Sequence, residues 1–198
     1  MDPIRPSRAP LLAFAALLTA SCGGGVPITA AGRPGRLDVR AAGEHSVRVT
    51  LRPVDDTVEL PYTPALAERD YPEPVISLRS LGGEIRERVG SLDVVVRPDP
   101  LTVRVSNDEG ELVQEIAFPD DGTLTFRLGD QPVLGMGEGG PRPPEGADWR
   151  ELPIELDRRG RVHAMQPRWQ SGAYGSRNPV AFMVGTGGWG LWVATPWG

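Results

Sequence analysis

Apolar and polar positions alternate from Leu37 onward. Val47, Val49 and Leu51 interleave with Ser46, Arg48, Thr50 and Arg52, the period-2 pattern of a strand with one face buried. Pro53-Val-Asp-Asp56 reads as a turn, Thr57–Leu60 as a short strand, and Pro61–Pro74, with four prolines, as irregular chain, because proline cannot donate to a ladder. Val75–Leu78 and Glu84–Val89 are expected to pair as a hairpin across Gly82-Gly83. The clearest unit is Leu92–Phe118. Leu92–Arg97 meets Pro98-Asp-Pro100, Leu101, Val103 and Val105 alternate with polar residues, Asn107–Gly110 turns the chain, and Glu111–Phe118 returns. Asp120-Asp-Gly122 turns it again into Leu124, Phe126 and Leu128. Pro179–Gly185 and Trp189–Thr195 read as a last pair of strands joined by Gly185-Thr-Gly-Gly188. Consecutive antiparallel strands must bury their apolar faces against a second sheet, so the expected fold is all-β, an antiparallel β-sandwich.

Composition agrees with many turns and few helices: 25 glycines and 21 prolines in 198 residues. A net charge of −5, with no basic run, argues against nucleic acid as a partner. The single cysteine excludes a disulfide within the chain. It falls at an informative place. Arg5 and Arg8 precede the apolar run Leu11–Ala20, and then come Ser21, Cys22 and Gly23–Gly25. A basic start, a short apolar core and small residues make an export signal too short for a stable membrane span. Thr19-Ala-Ser-Cys22 resembles the bacterial lipoprotein lipobox, which implies a lipid on Cys22 and an exported, membrane-anchored protein. The organisation expected is a signal over residues 1–22, a flexible Gly/Pro-rich tether over 23–36, and one sandwich domain over 37–198.

Candidate chemistry concentrates late in the chain. Gly135, Gly137, Gly139 and Gly140 bracket one carboxylate, Glu138. Glycines permit tight turns and close backbone approach, so Gly135, Gly137 and Glu138 are expected to structure a loop entrance, Glu138 by accepting backbone N–H bonds. The Gly-x-Gly spacing is followed by no helical pattern, which rules out a dinucleotide site. Asp55-Asp56 and Asp120-Asp121 sit in turns, where aspartate bonds its own backbone. His45 and His163 are far apart and make no metal signature. The sequence gives no sign of a metal or an organic cofactor. Trp149, Trp169, Tyr174, Trp189, Trp192 and Trp197 all follow Arg142. Sugars offer C–H faces to indole rings and hydroxyls to polar side chains, so Trp149, His163, Arg168, Trp169 and Arg177 are the candidate substrate contacts. Trp189 and Trp192 are read as part of the last strand's packing.

The order of these pieces resembles glycoside hydrolase family 31, the α-glucosidase and α-xylosidase family. Leu134-Gly-Met-Gly-Glu138 resembles its Gly-Leu-Gly-Glu element, and Asp157-Arg-Arg-Gly160 the basic turn that follows. Tyr174-Gly-Ser-Arg-Asn-Pro-Val-Ala-Phe182 resembles its Tyr-Gly-Ser-x-x-Pro strand, and Gly188-Trp-Gly-Leu-Trp-Val193 the next strand. Upstream, Arg97–Val105 with Asp108-Glu-Gly110 resembles the hairpin before that element. The resemblance covers Leu92–Gly198. It implies a galactose-mutarotase-like supersandwich, the N-terminal domain that packs on a (β/α)₈ barrel carrying both catalytic aspartates. The chain ends about where that barrel would begin, so no catalytic residue is expected within it. The sandwich loop of the family often lends an acid to the sugar. Met165–Arg177 has no Asp or Glu, which leaves Arg168, Trp169 and Gln170 for that contact. The resemblance thus implies the carbohydrate-contacting domain of a secreted retaining α-glycosidase, with an oligosaccharide and its own barrel as partners. A glycan-binding surface lipoprotein without catalysis, and a sandwich serving protein contacts, are the alternatives.

Overall fold

The computed structural model describes residues 24–56, 71–137, 146, 157–160 and 180–194. Among them every regular element is a strand, and every pairing is antiparallel. In chain order these are β1 (Val26–Pro27), β2 (Thr29–Ala30), β3 (Arg33–Gly43), β4 (Ser46–Pro53), β5 (Ile76–Leu78), β6 (Ser80–Leu81) and β7 (Ile85–Val89). Then follow β8 (Leu92–Arg97), β9 (Leu101–Ser106), β10 (Leu112–Phe118), β11 (Thr125–Phe126), β12 (Val133–Gly135), β13 (Phe182–Gly185) and β14 (Trp189–Trp192).

Two sheets enclose the core, as a β-sandwich requires. In the first, β3 is flanked by β4 on one edge and by β2 and β5 on the other. The second runs β11-β10-β9-β8-β7. The period-2 pattern decides which side chains go in. Leu37 and Val39 of β3, opposite Leu51 and Val49 of β4, meet Val94 and Val96 of β8 and Val103 and Val105 of β9 in one cluster closed by Ile76, Leu81, Val89 and Leu92. Burying each such side chain contributes about 1.5–3 kcal/mol, and this cluster is where most of the favourable energy lies. A third, smaller sheet, β12-β13-β14, meets β11 where the Trp189 and Phe126 rings pack edge to face, 6.1 Å between centroids.

Three expectations are corrected. Residues 24–36 do not form a tether. β1 pairs with β6, β2 pairs with β3, and Ile28 (5% exposed) and Ala30 (7%) are buried. Ala31 and Gly32, both at positive φ (49° and 72°), make a two-residue hairpin turn, so a stretch rich in small residues is ordered by one turn and one apolar anchor. Second, β5 and β7 are strands but not a hairpin. β5 pairs with β3, β6 with β1 and β7 with β8, so Gly82-Gly83 passes the chain from one sheet to the other. Third, only Thr125 and Phe126 of the Leu124–Leu128 alternation join the ladder, and Leu124 and Leu128 are exposed. Beyond Phe126 a side chain takes over. Gln114, 6% exposed, accepts the Glu115 and Arg127 N–H groups on Oε1 and donates Nε2 to Arg127 O. Every polar atom of the buried amide is thereby used, as burial demands.

The outer faces are charged. On the second sheet Glu115 lies between Arg104 (3.8 Å) and Arg127 (3.0 Å). On the first, Arg36, Asp38 and Arg40 of β3 stand opposite Arg52, Thr50 and Arg48 of β4.

Candidate functional site

The glycine-bracketed stretch forms a backbone knot. Gly135, Met136 and Gly137 have successive φ values of 110°, 67° and 79°. Such a run is open to glycine but strains Met136, a cost of order 1–3 kcal/mol that surrounding contacts must hold. The contacts are present. Met136 N–H donates to Phe182 O (2.9 Å), while Val133, Leu134 and Gly135 pair with Gly185, Val184 and Met183 of β13.

The other edge of β12 is clipped by residues 24 positions downstream. Asp157 Oδ1 accepts the Val133 N–H at 3.0 Å, and Arg158 N–H donates to Val133 O at 2.7 Å. The Arg158 guanidinium reaches further, donating Nε to Gly135 O (3.1 Å) and Nη2 to Gly137 O (3.3 Å). Arg159 holds the clip in shape: its Nε lies 3.1 and 3.0 Å from the two Asp157 oxygens and its Nη2 2.8 Å from Oδ2. This forked pairing gives direction as well as charge. The Arg159 hydrogen bonds, followed by the Val133 N–H, hold the Asp157 carboxyl well below the usual carboxylate range, and Asp157 in turn raises the Arg159 guanidinium.

The knot joins three sequence-distant pieces: Val133–Gly137, Asp157–Gly160 and the β13–β14 pair. Gly137 and Asp157 flank residues 138–156, and Gly160 and Val180 flank residues 161–179, so the described residues bordering both polar stretches gather within a few positions of it. Gly135 and Gly137 sit inside the knot, their carbonyls accepting from the Arg158 guanidinium. Cys22, Glu138, Trp149, His163, Arg168, Trp169, Gln170 and Arg177 lie outside the described residues. His45 is exposed, its Nδ1 2.7 Å from Ser91 Oγ, which in turn donates to Glu44 O. It ties two turns together. Of the paired turn acids, Asp121 bonds its own turn, Oδ1 accepting both N–H and O–H of Thr123, while Asp55 pairs with Arg33 and Asp120 accepts the Thr29 hydroxyl. Among the described residues no three His, Cys, Asp or Glu side chains gather as a metal site would need. The Trp189 ring lies over Gly185, where a Cβ would overlap it. Trp192 Nε1 is a buried donor without a partner among the described residues, a feature that packing arguments from sequence do not reach.

The Asp157 clip predicts a pH dependence. Its folded-state proton affinity is lower than in the unfolded chain, so the clip stabilises above the ordinary carboxyl pKa of 3.8 and is lost as pH falls below it. The protection factor of the Val133 amide, its exchange rate relative to the intrinsic rate at each pH, should therefore be high and flat from neutrality to about pH 5, with an acid limb of falling protection below it. In Asp157→Asn that extra acid limb should vanish. An Asn variant with an unchanged limb would assign the protection to another group.

The fold and knot define an all-β sandwich protein with a clipped loop platform at one end. No family model, curated protein or solved structure matched the chain.

Proposed function

We propose that this chain is the carbohydrate-contacting sandwich domain of a secreted retaining α-glycosidase acting on α-glucosides or α-xylosides. Its supersandwich would be of the galactose-mutarotase-like kind, and the catalytic pair would sit in a partner barrel outside these 198 residues. The observation carrying the reading is the knot. Val133–Gly137, Asp157–Gly160 and the β13–β14 pair, three pieces that resemble glycoside hydrolase family 31, are tied together by side-chain to backbone bonds, which gives their order in the sequence a spatial reason. The residues with glycan-contacting chemistry, Trp149, His163, Arg168, Trp169, Gln170 and Arg177, belong to the two stretches that this knot borders. In the glycosidase reading Val180, Phe182 and Val184, exposed alternate residues at β13, belong to a domain contact. The stand-alone glycan-binding lipoprotein would leave them in water, which disfavours it.

The test is a titration of intrinsic Trp fluorescence with α-glucan and xyloglucan oligosaccharides. Binding is expected, and Trp169→Ala should weaken it about tenfold, the scale of losing one aromatic anchor. The 198-residue chain alone should leave aryl α-glycosides intact, because retaining chemistry needs two carboxylates about 5–5.5 Å apart on the reacting sugar. Silence toward every neutral oligosaccharide would overturn the glycan contact. Turnover by the chain alone would overturn the assignment of chemistry to a barrel.

A further inference from the structure

We infer that the outer face of β3 and β4 is a second, independent binding surface, one for an acidic oligosaccharide. Register sets two arginine pairs directly opposite each other: Arg36 faces Arg52 and Arg40 faces Arg48. Like charges directly opposite on antiparallel strands are destabilising, with Cβ atoms only about 4.5–5.5 Å apart. One carboxylate, Asp38, stands between the pairs on β3. It lies 3.1 Å from Arg36 Nε and 3.8 Å from Arg40 Nη2, and it accepts the Ser77 hydroxyl at 2.7 Å. Among the described residues these four guanidinium groups share one carboxylate, and Arg40 also donates Nη1 to Pro72 O at 3.3 Å. Arg36 Nε is buried and not aligned for a hydrogen bond. Arg48 has the half-buried Tyr71 ring 4.7 Å from its Cζ. Arg52 has no ion pair or hydrogen bond among the described residues. In a chain of net charge −5, this concentration is local.

The geometry specifies the ligand. The two pairs are separated by four strand residues, about 13 Å, too far for one oxyanion to bridge and suited to an extended molecule with recurring anionic groups. Uronate carboxylates and sulfate esters both present the paired oxygens that a guanidinium fork takes up. Arg36 and Arg40 are only about a third and a quarter exposed, so they lie along the sheet rather than projecting toward a bilayer. The sugar backbone rests on the glycan reading above; the anionic requirement rests on the arginines alone.

Calorimetric titration of the purified protein separates these. A uronate oligosaccharide and a sulfated one, each against a neutral oligosaccharide of equal length, should show the anionic ligands binding about tenfold or more tightly, with affinity falling as salt rises. Arg48→Gln/Arg52→Gln should lose that advantage while its melting temperature holds or rises, because cross-strand repulsion is relieved. Arg104→Gln, on the other sheet, should keep it. The preferred anion, carboxylate or sulfate, names the source. Equal affinity for neutral and anionic sugars, an undiminished double variant, or tighter binding of a short single-stranded oligonucleotide would each overturn the inference. If anionic sugars bind through these arginines while neutral ones cause no Trp169-dependent change, the surface stands and the proposed function falls.

Discussion

Gly135→Ala is expected to cost about 3 kcal/mol or more and to release β12–β14 before the rest of the sandwich melts. Two costs coincide at this position. The φ of 110° lies in a region that residues with a Cβ rarely adopt, and strain of that kind costs about 1–3 kcal/mol. The new methyl would also fall within van der Waals distance of Phe182 O, the acceptor of the Met136 N–H. Neither strand can step aside, because β13 is held by β14 on its far edge and β12 by the Asp157–Arg158 clip. Relief therefore requires breaking the Met136 bond or the Gly135–Met183 pairing, at about 1 kcal/mol for each hydrogen bond. Trp189 and Trp192 report on this small sheet, whereas far-ultraviolet dichroism reports on all strands. In urea the variant should show its fluorescence transition well ahead of the dichroism transition. Coincident transitions within about 0.5 kcal/mol of the wild type would mean that the knot adapts.

Asp38→Ala is the second large effect, about 3 kcal/mol, the low end of what removing one partner from a buried ion pair costs. The carboxylate is 2% exposed, while Arg36 and Arg40 are 32% and 24% exposed, so solvent screens part of the loss. What remains after the deletion is two facing pairs of like charge without the carboxylate that stood between them. The deficit should therefore shrink as salt is added, because salt screens both the arginine repulsion in the variant and the ion pairs of the wild type. Asp38→Asn keeps an oxygen for the Ser77 hydroxyl and should lie between Ala and wild type. A cost below about 1 kcal/mol, or one insensitive to salt, would show that the arginines are held by something other than this carboxylate.

Much of the fold was legible because the pattern and the turn chemistry agree. In Leu92–Phe118 the alternation chooses the buried face, and Asn107 Oδ1, accepting from the Glu109 and Glu111 N–H groups, makes the turn its sequence suggests. Partner choice was less legible. Nothing local tells β5 to pair with β3 rather than across Gly82-Gly83; burial of Ile76 beside Val39 decides it. The N-terminal segment was misread because glycine, alanine and proline suit a tether and a tight hairpin equally well. At the candidate site, the importance of Gly135 and Gly137 could be read from their spacing. The Asp157 and Arg158 bonds to β12 could not, because a side chain meeting a backbone 24 residues away leaves no periodic trace. The arginine face needed register: Arg48 and Arg52 are simply polar alternates of a strand until β3 is laid beside them.

The stitched N-terminus sets a leash length. Val26 pairs with Leu81 and Ile28 is fixed in the core, so the sequence from Cys22 to the first paired residue is a span of four residues. Fully stretched, it reaches about 14 Å. A lipid carried on Cys22 would hold the sandwich nearly flush with the bilayer, close enough for its standoff to be no more than a lipid headgroup layer and a few waters. The edge of the fold nearest that surface would be the one carrying β1 and β6.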